Sequence, residues 1–383
     1  MLVLAAAVAR AQRAKRDSVA YVTRLGQDTI AVERVITTPD SIMGEVVDRY
    51  PKTERFTYAA HLAPDHEIAG YTIAFYRAPG TDAAVTASMH VDFKNDSAKL
   101  TVYRGDKSQT STVAVPVSAV PMNEPSYGIL QSVVDRALAA RGKRVGFSAV
   151  YLPGLLIKGS AMADAHDDTV RIDTKYDPVR AIVDGKGRIV SLSDVGGTMQ
   201  AIVVRVPWPD LAPWTADFMG RDAKGASLGS LSPRGNSRGT VGDITLVVDY
   251  GRPMKRGRDI FGGVIPWDHV WRTGANAATS FVTDKDVMLG DTRVPAGAYT
   301  LFSLPSRNGW QLIVSRRTGE WGTEYDSTAD FARIPMSVRS APRPVEQFTI
   351  GIETQSPAAG ALTFSWDKTV GTVRIQPVRH TGS

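Results

Sequence analysis

The chain has 383 residues, more than one hydrophobic core usually organises, so two domains are expected. Hydrophobic residues make up 43% and charged residues 22%, which excludes a disordered chain and leaves apolar surface for sizeable cores. The chain has no cysteine, which rules out a disulfide framework, a thiolate zinc site and a cysteine nucleophile, and its net charge of +6 leans weakly toward anionic ligands.

The N-terminus reads M-L-V-L-A-A-A-V-A-R-A-Q. Leu2 to Val8 is a short apolar run, and Ala9-Arg10-Ala11 has the small-x-small form of a signal-peptidase site. Residues 1–11 are therefore expected to be a signal peptide, with Gln12 the mature start and the protein exported to the periplasm or beyond. The missing basic segment fits a start further upstream. The competing reading is a frayed helix of a cytosolic protein. No later stretch reaches membrane-spanning length.

Period-2 patterns then dominate. Phe56, Tyr58, Ala60 and Leu62 share one face of a strand; Tyr71, Ile73 and Phe75 share another; Val113, Val115 and Val117 alternate, as do Ile202, Val204 and Val206. One segment changes period. Over 126–141, apolar residues fall at Ile129, Leu130, Val133, Val134, Ala137 and Leu138, the spacing of an amphipathic helix. Asn123 or Ser126 is placed to cap it and Gly142 to end it. The expected first domain, 17–215, is a curved antiparallel sheet with that one helix, the longest in the chain, packed on it.

Residues 216–234 read as a linker, because Gly and Ser dominate from Arg221 and no period survives. Within it, Gly225-Ala226-Ser227-Leu228-Gly229 matches G-x-S-x-G, but no helix pattern follows to build a nucleophile elbow. From 235 to 377 the strands resume. Ile244, Leu246, Val248 and Tyr250 alternate, then Tyr299, Leu301 and Ser303, then Trp310, Leu312 and Val314, then Phe348, Ile350 and Ile352, then Leu362, Phe364 and Trp366. The fold class expected overall is mainly β, the second domain being an all-β sandwich or jelly roll.

Several polar groups stand out. Asp164, His166, Asp167 and Asp168 could hold a divalent ion, though a solvated turn explains them as well. His61 and His66 flank a turn but lack a third ligand for zinc. Arg252, Lys255, Arg256 and Arg258 form a basic loop able to grip phosphate or carboxylate. It lacks the interleaved aromatics of a nucleic-acid surface, so no nucleic-acid partner is expected. After it comes V-W-R-T-G-A-N-A-A-T-S-F, where Arg272, Thr273, Asn276 and Thr279 sit among small residues. An arginine in apolar company needs a partner. One reading is a structural tie, with Asp249 on Arg272. The other is a ligand site made by Arg272, Asn276, Thr279, Arg252, Arg256 and Tyr250, with Trp271 or Trp321 as an apolar wall. Gly274 would permit a bend closed to other residues.

The run G-T-V-G-D-I-T-L-V-V-D-Y-G-R-P-M-K-R-G-R-D-I-F-G-G-V-I-P-W-D-H-V-W-R-T-G-A-N-A-A-T-S-F, with V-P-A-G-A-Y-T-L-F-S-L-P, W-G-T-E-Y-D and V-E-Q-F-T-I after it, resembles the bacterial domain-of-unknown-function family 2911. The likeness covers roughly 232–375. It implies an exported bacterial protein and no particular reaction. Where the family commonly has an acidic residue this chain has Ala277, which leaves no acid–base role there. The first domain is loosely similar in architecture to the curved sheets of periplasmic lipid carriers.

Three functions remain open. The first is a non-enzymatic, exported binding module for a small polar or anionic ligand, with no cofactor and no metal. The second is an extracellular hydrolase without a recognisable motif. The third is a structural or assembly module of the cell envelope.

Overall fold

The computed structural model describes residues 17–378 except 77–83, 95, 116–117, 141, 152–154, 164–167, 175–177 and 195–198. The expected signal peptide, Asp164, His166 and Asp167 lie outside the described residues. The chain divides into two compact units, Met1–Gly229 and Ser230–Ser383. The fold is mainly β, with two large sheets. No helix among the described residues is long and apolar enough to cross a membrane.

The N-terminal unit runs β1 (Asp17–Leu25), β2 (Asp28–Thr38), β3 (Ser41–Asp48), β4 (Glu54–Leu62), β5 (Ile68–Tyr76), β6 (Val85–Lys94), β7 (Ser97–Arg104), β8 (Lys107–Ala114) and β9 (Ala119–Met122). Helix α1 (Gln131–Ala139) follows, then β10 (Val145–Tyr151), β11 (Leu155–Ala163), β12 (Thr169–Thr174), β13 (Val179–Val183), β14 (Ile189–Asp194), β15 (Ala201–Val206) and helix α2 (Ala212–Ala223). The strands form one sheet in the order β8 back to β1, then β15 back to β9. Only the β9–β10 pair among these is parallel. The alternation sets the inner face: Phe56, Tyr58, Ala60, Tyr71 and Ile73 are buried in the core with Val133, Val134 and Ala137 of α1. At β15 the period is right but the facing is reversed. Ala201 and Val203 point inward, while Ile202 and Val204 are exposed.

The helix expected over 126–141 is a 3-10 turn at Gly128–Leu130 that continues as α1. Neither Asn123 nor Ser126 caps it with its side chain. Glu33 of β2 does so from across the core. Its carboxylate, 1% exposed, accepts from the backbone N–H groups of Tyr127 at 3.1 Å and Gly128 at 3.1–3.2 Å. The hydroxyls of Tyr58 and Ser126 donate to it as well, each at 2.6 Å. A carboxylate at a helix start meets both the orphan donors and the positive end of the dipole. A side chain on Gly128 would put its Cβ 2.5 Å from Val35 Cγ2 and 2.9 Å from Glu33 Oε1, so only glycine lets the helix come this close. Burial pushes the Glu33 carboxyl above its ordinary value, with its four donors pulling the other way.

The expected linker contains a helix. Helix α2 has 12 residues against nine for α1, so among the described residues the longest helix lies at 212–223 and not at 126–141. Pro213 sits in its first turn, where a missing N–H costs nothing. Leu211 and Phe218 then pack on Val22, Val32 and Val47, covering the outer face of β1–β3. Thr53 N–H donates to Asp222 at 2.7 Å and Arg49 to the Ala226 carbonyl at 2.9 Å, which fix its C-terminal end.

The C-terminal unit runs β16 (Arg234–Val241), β17 (Ile244–Gly251), β18 (Thr279–Thr283), β19 (Val287–Leu289), β20 (Thr292–Val294), β21 (Gly297–Leu304), β22 (Trp310–Ser315), β23 (Asp330–Ser356) and β24 (Ala359–Pro377). The sheet order is β16-β17-β18-β21-β22-β23-β24-β19-β20. It folds over on itself. Ser237 of β16 donates to the Ile350 carbonyl, and Thr354 donates to the Thr240 carbonyl at 2.6 Å. Between the two layers lie Leu246, Val248, Phe281, Leu301, Leu312, Phe348 and Trp366. This is the packed-sheet arrangement that the alternating runs require.

Candidate functional site

The basic loop leaves β17 at Arg252. Lys255 and Arg258 turn their charges into its own frame, and Arg256 is tied there through its backbone. Lys255 Nζ holds Asp367 Oδ1 at 2.7 Å, and Arg256 N–H donates to Glu346 Oε1 at 2.7 Å. Arg258 donates to the carbonyls of Lys255 at 3.0 Å and Met254 at 2.6 Å. Burial, with the charge of Arg256 beside it, brings Arg258 down to about 10. Arg252 lays its stem over Gly235, where a Cβ would sit 2.2 Å from Arg252 Cδ. Arg252 and Arg256 therefore belong to this strand-end loop.

The turn after Trp271 is a knot of short hydrogen bonds. Thr273 hydroxyl donates to Ser303 Oγ at 2.9 Å, and Thr279 hydroxyl donates to the Thr273 carbonyl at 2.8 Å. Both threonines are fully buried. Trp271 exchanges backbone hydrogen bonds with Ser303, at 2.7 and 2.9 Å, and its indole N–H reaches the Gly274 carbonyl at 3.2 Å. Thr273 has φ +50 and Asn276 φ +63. For a β-branched residue that region is strained, and only an over-determined surrounding holds it. Gly274 is needed for space and not for a bend: its φ is ordinary, and a Cβ would lie 2.9 Å from Thr279 Oγ1.

These positions correct part of the expected site. Thr279 is a buried tie. Tyr250 is another: its hydroxyl accepts from Ile350 N–H at 2.8 Å inside the core. Trp271 is 5% exposed, stacked on Trp366 and edge-to-face with Phe261 and Phe348, so it walls no pocket. Asp249 is engaged by Arg234 of β16 in place of Arg272. Arg234 sits two residues from the partner of Asp249 in the strand register, within diagonal reach. Arg234 also donates to the Ala277 carbonyl at 3.3 Å, which ties the turn to the sheet edge.

Three expected residues do come together. Asn276 is exposed, and its carbonyl accepts from Gly322 N–H at 3.0 Å. Ala277 bridges Trp321, which is 40% exposed. The half-buried Arg272 runs against Gly322, where a Cβ would meet Arg272 Cδ at 2.5 Å. Arg272, Asn276 and Trp321 thus share one surface on a fixed frame. Residues 232–375 match the model of DUF2911, described as a protein of unknown function. The turn and the 320–322 segment both lie inside the DUF2911 match. No curated protein matches the chain. Among solved structures it is similar to a DUF1089 family protein from Pseudomonas aeruginosa, at 11% identity and a TM-score of 0.30, covering 43% of this chain and 89% of that one. It is also similar to a β-barrel-like DUF1849 protein from Brucella abortus, at 8% identity and a TM-score of 0.33, covering 51% and 97%.

Sequence reading missed Glu320 beside Trp321 in the C-terminal unit. It is buried, and its Oε2 meets no hydrogen-bond donor. The signal was an acid set between Gly319 and Trp321, just after Arg316 and Arg317. At G-x-S-x-G the elbow geometry is absent. The motif follows a helix instead of preceding one. His66 Nδ1 lies 3.8 Å from Asp135, and among the described residues no cluster of three or more His, Asp or Glu could hold a metal.

Proposed function

We propose that the protein is an exported, non-enzymatic binding module whose DUF2911 unit holds a small polar or anionic ligand against Arg272, Asn276 and Trp321. The observation that carries this reading is the frame beneath those side chains. Thr273 and Thr279 tie the turn from inside, and 276–277 pair with 321–322 at its edge. A surface already ordered loses little entropy on binding. Arginine supplies a planar fork of donors, asparagine both a donor and an acceptor, and tryptophan an apolar plate. A hydrolase reading has no support at Ser227, the one motif that suggested it.

Isothermal titration with inorganic phosphate, citrate and glutamate tests the surface. At least one should bind, and Arg272→Lys should weaken it about tenfold, since lysine keeps the charge and loses the fork. Asn276→Gly keeps the left-handed backbone and removes only the side chain. It should weaken binding while leaving the denaturation midpoint unchanged. Saturable binding of none of the three, or binding indifferent to both substitutions, sinks the reading and leaves the envelope-assembly module. Export rests on the apolar run and the Ala9-Arg10-Ala11 site. N-terminal sequencing of the native protein should begin at Gln12; an intact Met1 on cytoplasmic material ends that part.

A further inference from the structure

The N-terminal unit has a second built surface, made of residues outside the site proposed above. A groove of about 460 Å³ opens beside the start of β1, with the 184–188 turn on one side and the end of β15 on the other. That volume falls in the range of roughly 300–1,000 Å³ that holds small ligands. Its floor is polar and its charges balance: Lys186, Arg188 and Arg205 line it with Asp17 and Asp184, and Asp135 lies behind Arg188. Arg188 holds Asp17 at 2.8 Å and Asp135 at 3.2 Å, and Arg205 holds Asp184 at 2.7 Å. Trp208 stands at the rim with 47% of its surface exposed.

The indole is braced from one side. The Arg34 guanidinium lies 5.4 Å from the centre of the Trp208 ring. Arg34 is in turn clamped by Glu45, which also holds Arg55 at 2.8 Å. Trp208 is therefore an oriented plate and not a loose surface side chain.

We propose that this groove binds a neutral polyhydroxyl ring, one unit of a saccharide, stacked on the exposed side of Trp208. An anion would compete with Asp17 and Asp184 for the arginines, leaving it only the solvated Lys186, and a cation would compete with the arginines for the carboxylates. Neither gains net charge there. A hydroxyl both donates and accepts, so it fits beside paired guanidinium and carboxylate groups without breaking them. The aliphatic C–H face of a sugar ring matches an aromatic plate with one apolar surface and a polar surround.

The test uses the whole chain and four soluble probes: cellohexaose, maltohexaose, chitohexaose and mannohexaose. Binding is read by titration calorimetry and by tryptophan emission. At least one probe should bind saturably, Trp208→Ala should weaken it about tenfold or more, and Trp208→Phe should retain most of it. Tyr103→Ala, an equally exposed aromatic outside the groove, should bind as the parent does. The proposal is overturned by no saturable binding of any probe up to about 10 mM, a level that would still reveal millimolar affinity. Binding that survives Trp208→Ala overturns it too, as does a groove that takes inorganic phosphate or a tripeptide but no oligosaccharide.

Discussion

Glu33→Ala is expected to destabilise the N-terminal unit by about 3–5 kcal/mol, the scale of breaking a buried charged network by removing one member. The substitution takes away the only group that the Tyr58 and Ser126 hydroxyls and the Tyr127 and Gly128 N–H groups all donate to. Each buried donor left without an acceptor costs roughly 1–3 kcal/mol, and the vacated volume adds to that. Chemical denaturation of the variant beside the parent measures the change. A loss under about 1 kcal/mol would show that the helix start is held by packing alone.

Glu33→Gln adds a pH signature. Burial raises the folded-state value of Glu33 above the ordinary 4.5. The folded protein then binds the proton more tightly than the unfolded chain. Stability from this group is fully present below pH 4.5 and is lost as pH rises through the folded value. Ser126 can accommodate the proton, since a hydroxyl that donates can turn and accept. Glutamine does not titrate. The stability gap between parent and Glu33→Gln should therefore be widest in acid and shrink toward neutral pH. Asp48, also pushed up by burial, titrates in both proteins and cancels. A gap that widens with pH would mean that the four donors outweigh burial.

What the sequence carried and what it withheld follow one physical division. Period-2 runs such as Ile244, Leu246, Val248 and Tyr250 announce strands because alternate side chains must share a face, and all four are buried. The same rule does not say which face is the core, so Ile202 and Val204 look like core residues and are exposed. Helix α2 was legible in the spacing of Leu211 and Phe218, but the Gly/Ser composition just after it masked the signal. Glu33 was not legible. It sits between Ala31 and Val35 on the inward face, where an acid looks like a break in the pattern, and its reason for being there lies on a segment 93–95 residues away. The polar turn gave a mixed result. That its groups are ordered and paired could be argued from the cost of leaving them unpaired. Which partners they take depends on strand register, so Asp249 goes to Arg234 and the Thr273 hydroxyl to Ser303.

Two tryptophans named together as an apolar wall are expected to part company when each is replaced by alanine. Trp271 packs its ring 4.9 Å from Phe348, 5.8 Å from Trp366 and 6.2 Å from Phe261, at the centre of the C-terminal core. Trp271→Ala empties that volume, strips contacts from three aromatic neighbours and leaves the Gly274 carbonyl without its indole donor. The expected cost is about 3–5 kcal/mol, as for other large aromatic truncations in cores. Because Trp271 also anchors the turn to Ser303 through its backbone, a loosened core at this point should release Arg272 and Asn276 from their frame, so ligand affinity falls along with stability. Trp321 is 40% exposed and pairs with Ala277 of the turn through a backbone bridge, which alanine keeps. Trp321→Ala should change stability by less than about 1 kcal/mol and act on binding only. Urea denaturation of both variants, with titration of whichever anion binds the parent, separates the roles. Equal midpoint shifts for the two would place Trp321 in the core as well and remove the apolar plate from the proposed surface.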